Sequence, residues 1–234
     1  MNILITGASR GIGAAAYALL RSNGHRVVGH STGGNDELVA GDLGDPSAPR
    51  NIWETALAEL GGRIDVLVNN AGIYEAVADN VTDEEWHRSW ARTMTVNLQA
   101  PADLSKHAVS HFLDLGIEGR IVNVASRAAF RGDSPQHWHY AASKAALVAM
   151  TRTIARGYAS EGILCFGVAP GFTVSEMTAE YLEGRGGAQI VADIPLGRVA
   201  STDEVAEVIR WLATEAPASA TGSVIDVNGA SYVR

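Results

Sequence analysis

Short runs of apolar, often β-branched residues recur along the whole chain, and most are apolar at every position rather than at alternate ones. Strands of this kind belong to sheets whose two faces are both covered. Turn-forming residues or a change to helical spacing end each run. The pattern predicts strands at Asn2–Thr6, His25–His30, Glu37–Ala40, Ile64–Asn69, Arg120–Ala125, Ile163–Ala169 and Ser223–Val227.

Longer segments with helical spacing of apolar residues separate these strands. Strands that alternate with helices form parallel sheets with helices on both faces, and ligands bind at the carboxyl ends of the strands. We therefore predict an α/β fold, a Rossmann-like doubly wound parallel sheet of about seven strands in a single domain over residues 1–234. Helices are expected from the turn at Gly7–Gly13 to about Asn23, and at Pro46–Leu60, Thr82–Leu115, Trp138–Ala159 and Thr202–Thr214.

Composition and charge narrow the class of protein. Of the 234 residues, 47% are apolar and 19% are charged, so the chain can bury a sizeable core. The formal charge of −8 argues against a surface that neutralises phosphate backbones, and nucleic acid is not an expected partner. The single cysteine, Cys165, excludes an intrachain disulfide. No apolar run reaches about 18–20 residues and no signal segment is evident, so we expect a cytoplasmic protein without a membrane partner.

A glycine-rich turn with the spacing Gly7-x-x-x-Gly11-x-Gly13 follows the first strand. Glycines there let the backbone approach a pyrophosphate, which the amino terminus of the next helix stabilises. The spacing differs from G-x-G-x-x-G, and such turns also join strands to helices for structural reasons alone. The position between the first strand and the first helix favours the dinucleotide interpretation.

The end of the second strand bears on which dinucleotide binds. An acidic residue there would accept hydrogen bonds from a ribose 2′-hydroxyl and repel a 2′-phosphate. The chain has His30-Ser31-Thr32 instead, with no carboxylate before Asp36, and Arg10 in the glycine turn is placed to meet a phosphate. No second arginine follows the strand. NADP(H) is therefore favoured, with NAD(H) as the alternative.

Tyr140 and Lys144 lie four residues apart at the start of a predicted helix and share one face of it. A phenol with a pKa near 10 is a poor base at neutral pH. An ammonium about 5 Å away stabilises the phenolate by about 3 kcal/mol at an effective dielectric near 20, so we expect the pKa of Tyr140 to be lowered. An amphipathic helix also places these residue types four apart by chance.

Polar residues at two other strand ends add to this pair. Ser126 follows the strand at Arg120–Ala125, where ligand-binding residues belong, although a serine there also serves as a cap or turn. Asn69–Gly72 ends another apolar strand and is expected to face the same crevice. Asn97, a poor helix former inside a helical stretch, indicates a kink or an inward-facing polar group.

Taken together and in this order, these motifs resemble the short-chain dehydrogenase/reductase family, in particular its 3-oxoacyl-[acyl-carrier-protein]-reductase-like members. The resemblance runs from Met1 to Gly229 and rests on Thr6–Gly13, Asn69–Gly72, Asn97, Ser126, Tyr140, Lys144 and Pro170-Gly171.

The resemblance implies roles for the matching residues. Tyr140 would be the general acid in carbonyl reduction or the base in alcohol oxidation, and Lys144 would lower its pKa and hold the nicotinamide ribose. Ser126 would hydrogen-bond the substrate oxygen, and Asn97 would hold a water that links Lys144 to solvent. With Ser31 and Thr32 added, the expected cofactor-binding residues are Gly7, Ser9, Arg10, Gly11, Ile12, Gly13, Ser31, Thr32, Asp42, Leu43, Asn69, Ala71, Gly72, Tyr140, Lys144, Pro170, Gly171, Thr173 and Ser175.

The resemblance also implies a homotetramer that uses two long helices of each subunit, and the chain departs from the family pattern in places. About ten residues separate the second strand from Asp42, so the helix usual there is missing or a single turn. Ser175 stands where a threonine usually binds the carboxamide, and Phe166 stands at a usual asparagine position.

Two segments bear on the substrate. Phe172–Pro195 corresponds to the family's substrate lid, although its glycines also fit a flexible surface turn. His137, Trp138 and His139 precede Tyr140 and would either bind a polar or aromatic substrate or form a subunit contact. No third ligand at suitable spacing joins the two histidines, so no metal site is expected.

Acidic residues stand where basic residues would dock an acyl carrier protein, at Asp114, Glu118 and Glu161. We therefore predict an NADP(H)-dependent oxidoreductase that transfers a hydride between nicotinamide and the carbonyl or secondary alcohol of a small-molecule substrate. The alternatives are a 3-oxoacyl-[acyl-carrier-protein] reductase and a non-catalytic dinucleotide-sensing protein on the same fold.

Overall fold

The protein is described here by a computed structural model that covers residues 1–173 and 187–234. Seven parallel strands form one sheet in the order β3-β2-β1-β4-β5-β6-β7. The strands β2 and β3 are added on one side of β1 and those from β4 to β7 on its other side, so the strand order reverses between β1 and β4. This confirms the predicted doubly wound sheet. The strands are β1 (Asn2–Thr6), β2 (Arg26–Ser31), β3 (Leu38–Ala40), β4 (Val66–Asn69), β5 (Gly119–Val124), β6 (Ile163–Pro170) and β7 (Val224–Val227).

Helices follow most strands and cover both faces of the sheet. Predicted and observed boundaries differ by a few residues at most, as is usual at helix and strand ends. Among the described residues the helices are α1 (Gly11–Ser22), α2 (Ala48–Glu59), α3 (Asp83–Met94), α4 (Ala100–Leu115), α5 (Ala128–Arg131), α6 (Trp138–Tyr158), α7 (Gly187–Ala192) and α8 (Thr202–Thr214).

The two larger hydrophobic clusters among the described residues lie on opposite faces of the sheet, because successive strand side chains alternate between its faces. In β1, Leu4 packs with the core formed by α2 and α4, whereas Ile3 and Ile5 pack with the core under α1 and α8. All three are fully buried, and each such side chain contributes about 1.5–3 kcal/mol of transfer free energy. This two-sided burial explains the uninterrupted apolar strands.

The long helical stretch predicted at Thr82–Leu115 is two helices joined by a π-helical turn at Thr95–Gln99. Asn97 lies in the middle of that turn with its side chain buried, so the expected irregularity is confirmed. Thr82 caps α3 by accepting a hydrogen bond from the Glu85 N–H.

The crossover between β2 and β3 contains no helix in residues 32–37, as the short spacing before Asp42 predicts. Two short helices, α5 and α7, were not predicted, because four- and six-residue helices carry too little periodicity to recognise. Among the described residues, no helix is long and apolar enough to cross a membrane.

Candidate active site

A cleft of about 400 Å³ lies at the carboxyl ends of the strands. It begins where the strand order reverses, which is the usual ligand position in an open parallel sheet. Most residues predicted to form the site line it, namely Gly7, Ser9, Arg10, Gly11, Ile12, Gly13, Ser31, Thr32, Asp42, Leu43, Ala71, Gly72, Ser126, Tyr140, Lys144, Pro170, Gly171 and Thr173.

The glycine turn has the geometry that a pyrophosphate requires. Gly7 and Gly11 have φ angles of 69° and 57°, a region that favours glycine. A Cβ on Gly13 would lie 2.0 Å from the Gly7 carbonyl oxygen, so only glycine allows this packing. Arg10 caps α1 without a side-chain hydrogen bond to the helix, which leaves the amino terminus of α1 available to an anion. These observations fit a dinucleotide.

The turn is held by β4 and the residues after it. The Thr6 hydroxyl accepts hydrogen bonds from the N–H groups of Asn70 and Ala71, at 3.1 and 3.0 Å. The Asn70 amide donates to the Thr6 and Gly7 carbonyls, at 2.9 and 3.1 Å. Asn70 therefore fixes the turn from below and also lines the cleft, a role that we did not assign to it from the sequence.

The side chain of Asn69 does not line the cleft, which corrects our prediction that it faces the crevice. Its amide donates to the Ser105 hydroxyl at 3.1 Å and to the Asn123 carbonyl oxygen at 2.9 Å, inside the protein. Asn69 is the last residue of β4, and alternation along the strand turns its side chain toward α4. It is Asn70 that reaches the cleft.

His30 is buried where β2 meets the glycine turn. Its Nδ1 accepts a hydrogen bond from the Gly7 N–H at 3.4 Å, and its Nε2 donates to the Gly41 carbonyl at 2.8 Å. This arrangement requires the neutral ring with its proton on Nε2. Burial lowers the pKa of His30, in agreement with that form. The exposed Arg10 and Thr32 stand beside it at the edge of the cleft.

Tyr140, Ser126 and Lys144 come together at the centre of the cleft. Tyr140 lies in the first turn of α6, Lys144 follows one turn later, and Ser126 extends from the end of β5. The Ser126 hydroxyl lies close enough to the Tyr140 phenol to favour its ionised form. The Lys144 ammonium lies 5.9 Å from the Tyr140 ring centroid and donates to the Val124 carbonyl at 2.9 Å. The grouping expected from the spacing is present.

The pKa of Tyr140 differs from our expectation. Burial raises the pKa of Tyr140 to about 12, and the nearby Ser126 hydroxyl opposes that rise only in part. Burial also lowers the pKa of Lys144 to about 8. The predicted lowering of the Tyr140 pKa by Lys144 is thus wrong for the protein alone, because desolvation of the phenolate is the largest effect and the charge of Asp133 adds to it.

Asn97 lies directly beneath the cleft. Its amide donates to the Ile73 carbonyl at 3.0 Å, and its carbonyl oxygen accepts from the Ile73 N–H at 2.8 Å. A Cβ on Gly72 would meet the Asn97 oxygen at 3.2 Å and the Lys144 Nζ at 3.3 Å, so these two polar groups converge on one point. The water link between Asn97 and Lys144 stays a prediction.

An aromatic wall that includes Tyr74 adjoins the catalytic tyrosine. The Tyr74 ring meets Tyr140 edge-on, with centroids 4.7 Å apart, and stacks on His137 at 3.9 Å. The Tyr74 hydroxyl donates to Asp133 at 3.1 Å. Tyr74 and Asp133 line the cleft, and sequence reasoning missed both because they lie in loops without periodicity.

His137, Trp138 and His139, the three residues before Tyr140, make different contacts. His137 supports Tyr74 from behind and lies 2.7 Å from the Ser134 hydroxyl. Trp138 is more than half exposed and packs edge-on against Trp86 of α3. His139 is buried, with its Nε2 3.2 Å from the Ser89 hydroxyl.

Part of the predicted site lies outside the described residues. Ser175 and most of the Phe172–Pro195 segment fall within 174–186. Phe166 is fully buried in the core, and the guanidinium of Arg120 lies over its ring at 5.9 Å. Within 1–173 and 187–234, no three histidine, cysteine or carboxylate residues are grouped to hold a metal ion.

Known proteins resemble this chain over nearly all of its length. A family model described as "Enoyl-(Acyl carrier protein) reductase" matches residues 7–230. The 3-oxoacyl-[acyl-carrier-protein] reductase of Escherichia coli K12 is 36% identical over 242 residues, which cover 98% of this chain and 96% of that protein. The acetoacetyl-CoA reductase of Rhizobium meliloti is 32% identical, with 98% and 97% covered.

Solved structures agree with these relatives. A protein assigned as an NAD(P)-dependent gluconate 5-dehydrogenase from Beutenbergia cavernae, with NADP bound at low occupancy, is 34% identical with a TM-score of 0.86 and covers 97% of this chain and 95% of its own. A short-chain dehydrogenase from Burkholderia cenocepacia in complex with NADP is 28% identical with a TM-score of 0.87, covering 98% and 97%. The chain belongs to the short-chain dehydrogenase/reductase family, whose members are oxidoreductases.

Proposed function

We propose that this protein is an NADP(H)-dependent oxidoreductase that interconverts a ketone and a secondary alcohol on a small molecule, with Tyr140 as the general acid or base. The observation that carries the proposal is the grouping of Ser126, Tyr140 and Lys144 in one cleft with the glycine turn. The nicotinamide would supply or accept the hydride when bound.

The residues of this chain would divide the remaining work. Tyr140 would donate its phenolic proton to the carbonyl oxygen in reduction, or take the alcohol proton in oxidation. Ser126 would hydrogen-bond the same oxygen and stabilise the negative charge that develops on it. Lys144 would bind the ribose of the nicotinamide, and Asn97 would hold a water beside it. A pKa of about 12 keeps Tyr140 protonated at neutral pH, which is the form that donates a proton in reduction.

The glycine turn would bind the pyrophosphate, and the edge formed by Arg10, Ser31 and Thr32 would bind the 2′-phosphate. None of these three side chains carries negative charge, and both solved relatives named above contain NADP. Asp42 and Leu43 would flank the adenine. Ser175 would contact the carboxamide, and Pro170, Gly171 and Thr173 would lie along the nicotinamide.

A second candidate is reduction of 3-oxoacyl groups on acyl carrier protein. The similarity to the Escherichia coli enzyme favours it. Asp114, Glu118 and Glu161 argue against it, because an acidic carrier protein would be repelled by carboxylates at its docking helices. Turnover of an acetoacetyl-carrier-protein substrate more efficient than that of the free ketone would decide for this second candidate.

We further propose a cytoplasmic homotetramer of single-domain subunits. The aromatic face made by Trp86, Trp90 and Trp138 is suited to a subunit contact, since Trp138 is more than half exposed. Light scattering of the purified protein should give four times the chain mass of 24.6 kDa.

The function is tested by following nicotinamide absorbance with NADPH and NADH in parallel against a panel of free ketones. We expect NADPH to be preferred and Tyr140→Phe to lower kcat/KM by about 10²–10⁴-fold, the usual contribution of a positioned proton donor. The exposed Tyr158→Phe serves as the matched control, since it removes a phenol from the surface of α6. Full turnover in Tyr140→Phe would contradict the proposed chemistry.

A further inference from the structure

An arginine stands next to the catalytic serine on the wall of the cleft. Arg127 follows Ser126 directly, and its N–H donates to the Pro170 carbonyl at 2.8 Å. Its guanidinium lies 5.2 Å from the ring centroid of Phe172. Arg127 and Phe172 line the same cleft as Ser126 and Tyr140. The side chain is therefore held in place beside the reacting groups rather than extended into solvent.

The charge of Arg127 is incompletely matched. Its side chain is only 11% exposed, and Nη1 is buried without a hydrogen-bond partner among the residues that the structure describes. The Asp193 carboxylate lies 3.8 Å from that nitrogen but only 2.6 Å from Nη1 of Arg131. One carboxylate thus serves two guanidinium groups, and Arg127 has the weaker share of it.

Other charged or titratable groups near Arg127 do not complete the pairing. Asp133 lies on the same wall, and its Oδ1 accepts hydrogen bonds from the Tyr74 hydroxyl and the Ser134 N–H, at 3.1 and 2.7 Å. Desolvation lowers the pKa of Arg127, with Arg131 adding to that effect and Asp193 and Asp133 opposing it. A buried guanidinium stays charged, and without a full partner its desolvation is a net cost to stability. Such a cost in a cleft indicates a ligand site.

We propose that Arg127 anchors a carboxylate on the substrate, so that the enzyme acts on a small oxo acid or hydroxy acid. The inference rests on the function proposed above. The planar fork of a guanidinium binds a carboxylate through two parallel hydrogen bonds. Ser126, Tyr140 and Arg127 line one cleft of about 400 Å³, so a small molecule whose oxygen meets Ser126 can present a carboxylate to Arg127.

The charge balance favours a carboxylate over a phosphate ester. Arg127 and Arg131 are balanced by Asp193 and Asp133, which both act on Arg127, so a substrate carboxylate adds a single negative charge to these four groups. A phosphate monoester carries about −1.5 to −2 at neutral pH. It would bring excess negative charge next to Asp133 and Asp193, and we expect it to bind less well.

The first test compares acetoacetate with its methyl ester under NADPH, since the two ketones differ in one charge. For Arg127→Met, we expect the ratio of kcat/KM for acid to that for ester to fall about 100-fold, as for a desolvated charge pair. The exposed Arg152→Met on α6 is the control, and its ratio should equal that of the wild type. An unchanged ratio in Arg127→Met would overturn the proposal.

Asp193→Asn tests charge against packing. This substitution removes the competing carboxylate and keeps the side-chain size, so the preference for acetoacetate should rise. A protein that had lost its local fold would instead lose turnover of both ketones. A fall in the acid-to-ester ratio for Asp193→Asn would mean that the carboxylate does not compete with substrate, and would contradict the proposal.

A binding measurement separates this inference from the proposed function. Fluorescence of the NADPH-loaded protein is titrated with butanoate, butanamide and propyl phosphate, none of which is a ketone. We expect butanoate to bind most tightly and Arg127→Met to abolish its advantage over butanamide. Equal binding of butanoate and butanamide, or tightest binding of propyl phosphate, would overturn the carboxylate assignment even where ketone reduction depends on Tyr140. Reduction that does not depend on Tyr140 would overturn the function while leaving the binding result intact.

Discussion

At Tyr140 two effects of opposite sign act on one phenol. Burial, with the charge of Asp133, disfavours the phenolate, and the Ser126 hydroxyl favours it. Burial is the largest effect, and the Lys144 ammonium does not offset it, since its hydrogen bond is directed to the Val124 carbonyl rather than to the phenol. The phenol therefore holds its proton at neutral pH, as a proton donor must before a carbonyl arrives.

Lys144 is predicted to lower the stability of the protein without its cofactor. Its pKa falls from 10.5 to about 8, which corresponds to about 3 kcal/mol of destabilisation while the amine is charged in both folded and unfolded states. Lys144→Met also loses one hydrogen bond worth about 1 kcal/mol. We expect the variant to be about 2 kcal/mol more stable than the wild type in urea unfolding at pH 7.

The pH dependence of that difference provides the check. Between pH 8 and 10.5 the folded wild type releases the Lys144 proton before the unfolded chain does, so wild-type stability rises with pH. The advantage of Lys144→Met should therefore shrink across this range. A difference that is constant from pH 7 to 10.5 would show that Lys144 is not the buried ammonium described here. Turnover should fall in the variant, as expected for a residue retained for function.

At the scale of the elements, the geometry of the glycine turn depends on the absence of a Cβ at Gly13. We predict that Gly13→Ala loses NADPH binding, because the added Cβ would lie 2.0 Å from the Gly7 carbonyl oxygen and 2.3 Å from the Asn70 amide nitrogen. Movement of either group would break the hydrogen bonds that hold the turn. Isothermal titration of NADPH measures the loss.

Gly157→Ala is the matched control for this element. Gly157 lies in α6 with nothing within 4 Å of an added Cβ, and alanine in a helix is more favourable than glycine by about 0.8–1 kcal/mol. The control should bind NADPH normally and unfold at a slightly higher temperature. Wild-type affinity of Gly13→Ala for NADPH would mean that the turn adjusts to the added Cβ, and that NADPH binding does not require glycine at this position.

The sequence predicts elements whose physical signal is local. The strands follow from burial on both faces, which leaves apolar runs such as Ile64–Asn69, and the irregularity at Asn97 follows from one poor helix former. Tyr74, Asp133 and Arg127 were missed as site residues, because loop paths and the four-residue α5 bring them to the cleft and neither leaves a period in the sequence. Asn69 was misplaced by one position, and in a strand that reverses the face.

On the scale of the whole molecule, the sheet order could be predicted only as a class. Alternating strands and helices indicate a doubly wound parallel sheet, whereas the observed order also reflects right-handed crossovers and the packing of α1 against α8, which are far apart in the chain. The acidity of Tyr140 is also a property of the assembled molecule, since it depends on burial that no four-residue spacing reveals.

The six residues that join β2 to β3 without a helix have a consequence for the catalytic cycle. We expect a crossover without a helix to cover less of the bound adenine, so that binding removes less apolar surface from water and the oxidised cofactor leaves quickly. In many enzymes product release limits turnover. Here we expect the chemical step to limit turnover. Stopped-flow measurements should then show no burst of NADPH oxidation, and deuterated NADPH should give a full isotope effect on kcat. A burst that approaches the enzyme concentration would show that the shortened crossover does not speed release of the oxidised cofactor. Product release would then be the rate-limiting step.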